Sequence, residues 1–323
     1  MQGKVQPETR SADPVYVGVD VCKSHLDLHF HPLGRSFRIS NDHNGIQRLK
    51  RLLAREQVAL VVMEATASYH RMAHRSLSQA GFAVAVVNPL RSHLFAEVLG
   101  KHAKTDRIDA RMLAILGATL TPEAKPPVPR VVEALQELLH ARSAAVAERT
   151  ALSNRLGVSQ TAFLRSELKR QLGNLERHIK RLDAHITSLI AADPALARRQ
   201  AILTSLPGIG PVVAATLLAD MPELGSLNRQ AAACLAGLAP FADESGDRQG
   251  PRHIKGGRAH PRRALYWAAL TATRRNPDLV RFYKRLIEDG KKPKVALIAV
   301  MRKLVVLANT LLKENRTWKP LHP

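Results

Sequence analysis

The sequence predicts an α/β N-terminal domain joined by a helical spacer to a mainly helical C-terminal domain. Three observations carry this reading. β-rich runs are confined to the first 90 residues, four prolines in "TPEAKPPVPR" (121–130) break the chain, and apolar residues beyond them recur at helical spacing. A length of 323 residues is enough to bury two cores.

The elements follow in order. After a polar tail (1–14), "VYVGVDV" (15–21), "HLDLHFH" (25–31) and "SFRIS" (36–40) read as strands close enough for an antiparallel meander. "NDHNGIQRLKRLLARE" is a helix with Ile46, Leu49, Leu52 and Leu53 on one face. "VALVVMEA" (58–65) is a buried strand, "SYHRMAHRSLSQAG" a helix ending at Gly81, and "FAVAVVNP" (82–89) another strand. A last helix covers 104–118. Three strands, then helix, strand, helix, strand and helix over 15–120, is the element order of a ribonuclease-H-like α/β domain.

The proline-rich stretch 121–130 is a linker. In the spacer (131–200), Leu168, Leu172, Leu175, Ile179, Leu182, Ile186 and Leu189 alternate by four and three. That spacing suits a coiled-coil seam, and also a helical hairpin buried within one subunit. Residues 201–315 form the C-terminal domain. It opens on "LTSLPGIGPVVAATLLADM", a helix-hairpin-helix-like element in which Gly208 and Gly210 permit backbone N–H groups to approach a phosphate. "FADESGDRQGPRHIKGGRAHP" reads as a Gly- and Arg-rich loop. Two helices near 262–275 and 293–313 follow, connected through "NPDLVRFYKRLIEDGKKP", with a tail at 316–323.

Charge narrows the function. The formal net charge is +22 with a pI near 10.8. Residues 241–323 hold 19 Lys and Arg against 7 Asp and Glu. Such a field favours polyanions, and this segment is the expected place of phosphate contact. Aromatics are 4% of residues, so stacking on an aromatic platform is not the main expected mode. Cys22 and Cys234 are too few for a disulfide framework or a zinc site, and no signal-peptide core or uninterrupted run of 18 apolar residues is present. A cytoplasmic nucleic-acid protein, nucleoid-associated when on DNA and without a membrane partner, is expected.

Four carboxylates stand out against this basic background. Asp20 sits inside an apolar strand, where a lone charge is costly. Glu64 ends the buried run "LVVME", where α/β sheets present ligands. Asp106 and Asp109 lie three apart in "KHAKTDRIDARMLA", on one side of a helix. Lys101, Lys104, Arg107 and Arg111 neutralise that pair on a solvated face, or all four carboxylates converge on a divalent ion. Converging carboxylates repel without a cation, so convergence implies Mg²⁺ or Mn²⁺ held by hard oxygens.

"VGVDVCK", "VMEAT", "KTDRIDARMLA", "LTSLPGIGPVVAATLLA" and "LAGLAPFADESG…IKGGRAHPRRALYWAALTATRRNP" together resemble the DEDD transposases of the insertion-sequence one-ten family, related to the Piv-type DNA invertases. The resemblance runs from about residue 15 to 313. It implies a RuvC-like N-terminal domain in which Asp20, Glu64, Asp106 and Asp109 bind Mg²⁺ or Mn²⁺. It also implies a catalytic serine after "GLAP", which carries over to Ser245. Read without the family, Ser245 is an ordinary turn residue beside Gly246. Donor and target DNA, a structured non-coding guide RNA, and a homo-oligomer (a dimer, or a tetramer in the synaptic complex) are the implied partners. Lys104, Gly208, Gly210, Arg248, Arg252, Lys255, Arg258 and Arg262 are the candidate nucleic-acid contacts. A junction-resolving nuclease and a non-catalytic binder are the rival readings.

Overall fold

The computed structural model describes residues 13–99, 106–245 and 248–320; the side chains of Asp106, Arg107, Asp243, Glu244, Ser245, Arg248, Gln249 and Pro251 also lie outside it. The chain divides into two compact units, Met1–Val128 and Pro129–Pro323.

Unit 1 is built on a five-stranded mixed sheet in the order β3-β2-β1-β4-β5. Strands β1 (Val15–Val21), β2 (His25–His31) and β3 (Arg35–Ser40) form an antiparallel meander, and β4 (Val58–Glu64) and β5 (Val84–Val87) run parallel to β1. Alternation sorts the side chains onto two faces. Val15, Val17, Val19, Leu26, Leu28, Val61 and Met63 face α1 (His43–Leu53) and α2 (His70–Gln79), meeting Ile46, Leu49, Leu53, Ala73 and Leu77. Leu60, Val62, Ala85 and Val87 face the other way, onto Leu113 and Leu116 of α4 (Asp106–Leu120). Helix α1 begins where the Asp42 carboxylate accepts from the Gly45 N–H at 2.7 Å.

One helix absent from the expected order is α3 (Pro89–Val98), started by Pro89 with Asn88 capping the Leu90 N–H. Its periodicity is poor and none of its residues is fully buried, so the apolar pattern that reveals a helix is missing.

His29 of β2 is 7% exposed and hydrogen-bonds Ser36 Oγ through Nδ1 at 2.9 Å. Burial first, then the charge of Arg111 and that of His31, hold its imidazole below the ordinary 6.5. The unfolded chain therefore takes this proton first. Unit 1 should lose stability as pH falls below about 6.5, and be indifferent to this group above it. His29→Gln should flatten the pH dependence of the urea midpoint between about pH 5 and 7, where an ordinary imidazole titrates. An unchanged slope would show that the group does not contribute.

Unit 2 is helical, with one hairpin. Helices α5 (Arg130–Val158) and α6 (Ala162–Ala191) fold back on each other. Arg142 and Asp183 pair across them, Nε to Oδ1 at 2.5 Å, and Arg165 donates to the carbonyls of Leu156 and Ser159 to close the turn. Along the four-three stripe, Leu168, Ile179 and Ile186 are buried, while Leu172, Leu175, Leu182 and Leu189 are half-buried. The stripe is thus used at least partly within the chain.

Helices α7 (Pro194–Thr204), α8 (Pro211–Asp220), α9 (Arg229–Leu235), α10 (Ala259–Arg275), α11 (Pro277–Glu288) and α12 (Pro293–Lys313) complete the unit. Asn309 of α12 is buried but satisfied: its amide accepts from Gly225 N–H and donates to the Leu227 carbonyl, both at 2.8 Å. Among the described residues α12 is the one helix long and apolar enough to cross a membrane, and half of its apolar window is buried in the unit.

Two expected connections prove to be regular structure. The segment read as a Gly- and Arg-rich loop contains an antiparallel hairpin, β6 (Pro240–Ser245) with β7 (Arg248–Ile254), bulged between Phe241 and Asp243. Backbone pairing holds it, so it carries little of the apolar alternation that marks a buried strand. The connection after Asn276 is α11, where Pro277 occupies the first turn and Asn276 Oδ1 accepts from the N–H groups of Asp278 and Leu279.

Candidate active site and nucleic-acid interface

The carboxylates of unit 1 are placed by the sheet and by two glycines of close approach. Gly18 lies under α4: a Cβ there would collide with the Ala110 carbonyl and the Ala114 backbone nitrogen. Gly117 lies over Val62 and Tyr16, with a built Cβ 2.8 Å from Val62 Cγ2. Helix α4 therefore runs antiparallel to β1 and β4, its N-terminal end lying toward their C-terminal ends. Any side chain at Gly18 would push α4 off the sheet.

Asp20 follows Gly18 by two and Glu64 follows Val62 by two, so both carboxylates share the α4 face. The parallel register pairs Val19 with Met63, which sets Asp20 beside Glu64 at the strand ends. Asp109 immediately precedes Ala110 on the helix above. All three are half-buried. Ser92 of α3 donates its hydroxyl to Glu64 Oε2 at 2.7 Å and to the Pro89 carbonyl at 2.9 Å, bringing the overlooked helix to the site. Asp106 opens α4, but its side chain lies outside the described residues, as does all of Lys104.

The donor set is wholly carboxylate, without Cys or His, and suits a hard divalent cation. Among the described residues, Asp20, Glu64 and Asp109 do not by themselves form a trio of ligand atoms within 4.8 Å. The arrangement gathers them at one end of one face.

Asp27 was not singled out from the sequence, yet it stands opposite Asp20 in the β1–β2 ladder and is 3% exposed. Arg38, its cross-strand partner on β3, grips it with two bonds of 2.9 and 2.8 Å, and His25 Nε2 lies 3.4 Å away. The guanidinium neutralises this fifth carboxylate beside Asp20. The signal was present in "HLDLHFH", whose alternate row is entirely polar.

In unit 2, Ser245 closes β6 and pairs with Arg248 across the hairpin; the side chains of both lie outside the described residues. Arg252 and Lys255 are exposed along and just after β7. Arg258 and Arg262 are half-buried and also make contacts within the unit. Arg258 binds Glu223 bidentately at 2.7 Å per bond and donates to the Asp220 carbonyl at 2.6 Å. Arg262 donates to the Gly256 carbonyl at 2.7 Å, bracing the turn after β7.

Gly208 has a packing role. Its φ is +112°, and a Cβ would meet Ala272 Cβ at 2.7 Å and the Ala268 carbonyl at 2.8 Å, so helix packing against α10 accounts for it. Gly210 is exposed and caps α8. It borders a cleft of about 490 Å³ whose wall includes Pro207, Trp267, Thr271 and Arg275. Trp267 is 68% exposed, an uncommon state for an indole, and sequence reading passed over it because aromatics are scarce. A second cleft of about 480 Å³ carries Arg229, Arg302 and Lys303 and no acidic residue, with Lys303 Nζ 4.1 Å from the Phe282 ring centre.

Comparison with known proteins identifies the family. A transposase model of the DEDD, IS110 type matches residues 17–159, and a second, described as the transposase IS116/IS110/IS902 family, matches 200–284. The pilin gene-inverting protein of Moraxella bovis is 28% identical over 323 residues, covering 95% of this chain and 98% of that protein. An insertion element IS116 protein of Streptomyces clavuligerus is 30% identical over 52% of this chain and 41% of its own length. An insertion element IS900 protein of Mycobacterium paratuberculosis is 32% identical over 38% of this chain and 32% of its own. The chain belongs to the IS116/IS110/IS902 family of transposases and is an enzyme of DNA transposition or recombination.

Proposed function

We propose that the chain cuts and rejoins DNA as an insertion-element transposase through a serine–phosphodiester intermediate, with Asp20, Glu64, Asp106 and Asp109 holding Mg²⁺ or Mn²⁺. One observation carries the metal part: Asp20 and Glu64 end adjacent parallel strands on the face crossed by the N-terminal end of α4, which bears Asp109. The sheet order, with its antiparallel meander and two parallel strands, supports the ribonuclease-H-like, RuvC-like assignment of residues 15–120. Residues 121–130 then act as linker, 131–200 as spacer and 201–315 as the serine-bearing domain.

The bound ion would supply positive charge to the phosphate and leaving oxygens. The carboxylates bind and orient it, and the Ser92–Glu64 hydrogen bond fixes the Glu64 rotamer. Ser245 Oγ attacks the phosphorus, forming the Oγ–P bond as the P–O bond to a deoxyribose breaks. The proton leaving Ser245 is delivered through solvent to the departing sugar oxygen, which leaves as a hydroxyl. Phosphodiester energy is retained, so the reverse attack by another strand's hydroxyl rejoins DNA without a nucleotide cofactor. Incubation with element-end DNA, the element's flanking RNA and Mg²⁺ should yield recombinant strands. Cleavage by water alone, with no rejoined product, would favour the nuclease.

A structured guide RNA fits the same basic surface, where pairing rather than protein would read sequence. Assembly as a homo-oligomer is part of this reading, and Val158, Phe163 and Leu164, exposed at the tip of the α5–α6 hairpin, are candidate contacts. Binding of RNA and DNA should weaken log-linearly and steeply with salt. Trp267→Ala should lower affinity for single strands by about 1–3 kcal/mol per stacked base. A flat salt response in a filter-binding titration would reject this surface as a phosphate track.

A further inference from the structure

A cluster in unit 2 plays no part in the chemistry above. His140 on α5, Asp220 at the end of α8 and His260 at the start of α10 point their ligand atoms at one another, all within 4.8 Å. His260 Nδ1 is 2.5 Å from Asp220 Oδ2, and His140 Nε2 is 3.7 Å from Oδ1. The two rings meet edge to face with centroids 5.3 Å apart.

We propose that these three side chains bind one borderline transition-metal ion, Zn²⁺ by preference, as a site separate from the carboxylate set. Two imidazole nitrogens and one carboxylate oxygen are donors for zinc, cobalt or nickel, and a poor set for Mg²⁺. Tetrahedral bonds of about 2.0–2.1 Å place ligand atoms about 3.3 Å apart. The ligand atoms lie within 4.8 Å of one another, with the two histidines on different oxygens of Asp220, so side-chain rotation brings both onto one ion.

The surroundings are already organised. Gln136, one turn before His140, donates to the Ala219 carbonyl at 2.8 Å and seats α5 against the end of α8. Arg258 holds the Asp220 carbonyl at 2.6 Å and fixes its carboxylate-bearing backbone. Asp220 has a side chain 10% exposed, His260 one 22% exposed, and His140 one 64% exposed. Two ligands are thus preset within the unit and the third closes from the surface. The ion would pin the spacer helix α5 to α8 and α10, leaving a fourth position for water or a phosphate oxygen.

The test uses the full chain, free of tags and stripped with chelator. Titration with Co²⁺ should give a saturable visible band of tetrahedral type at one equivalent per chain, displaced by Zn²⁺. One equivalent of Zn²⁺ should raise the melting temperature, and chelator should reverse the rise. His140→Ala should fold with an unaltered metal-free melting temperature yet lose both the band and the rise, as should His260→Ala. A wild-type chain without a saturable band would overturn the proposal, and so would a band or rise unaltered in His140→Ala. The readouts are binding and stability rather than DNA cleavage, so they stand whatever happens at the carboxylates.

Discussion

Replacing Asp20, Glu64, Asp106 or Asp109 by Ala should abolish metal-dependent strand cleavage while leaving nucleic-acid binding near wild type. On the proposed reading, each change would remove one hard oxygen from a shared ion. Losing even an outer partner of a metal ligand typically costs about 10–100-fold, so losing a ligand should cost more. Structural damage should be small at Asp20, Glu64 and Asp109, since all three are half-buried and none belongs to the apolar cores. Ser92→Ala serves as a graded companion: it frees Glu64 Oε2 of one hydrogen bond without removing a ligand, and should reduce activity by a smaller factor. Cleavage near the wild-type rate in any two of the four carboxylate variants would remove the tetrad as the metal site.

The second large effect is expected at Ser245. A suicide substrate nicked beside the scissile phosphate should trap the chain as a covalent phosphoserine adduct, and Ser245→Ala should abolish the adduct while retaining RNA and metal binding. An alcohol is a poor nucleophile unless activated, so without this hydroxyl only water can attack and rejoining is lost. Ser245 closes β6 on a hairpin held by backbone pairing, and a single methyl should leave that pairing intact. Arg252 and Lys255, exposed nearby along the chain, are the candidate phosphate contacts; Arg252→Ala should weaken binding and lessen its salt dependence. Peptide mass spectrometry locates the linkage. An adduct at another residue, or full recombination by Ser245→Ala, would return the nuclease to first place.

Much of unit 1 was legible because its signals are local. The apolar runs of β1, β2 and β4 and the buried stripe of α1 are amphipathic patterns that burial enforces residue by residue. Asp20 and Glu64 were visible as charges interrupting or ending such runs. The elements that escaped had no buried stripe to advertise them. Helix α3 buries nothing completely, the β6–β7 hairpin is held by its ladder, and α11 was masked by the proline that starts it. Asp27 escaped for another reason: its neutralising partner, Arg38, is a neighbour only through strand pairing.

By itself, then, the sequence determined the α/β-then-helical order, the basic character, the carboxylates and the family, all properties of residues near one another in the chain. Only the tertiary structure decided which groups are spoken for. Arg258 looks unpartnered in "GGRAH", but folding brings Glu223 to it across 35 positions, and both terminal nitrogens bond its carboxylate. Gly208 reads as a turn in the sequence, and only folding lays α10 against it. His140, Asp220 and His260 are 80 and 40 residues apart and carry no motif; the body of α5, the end of α8 and the start of α10 bring them together. The physical reason is common to all three: a side chain's chemistry is set by its nearest neighbours in space, and packing chooses those neighbours after the local pattern has chosen the helices and strands.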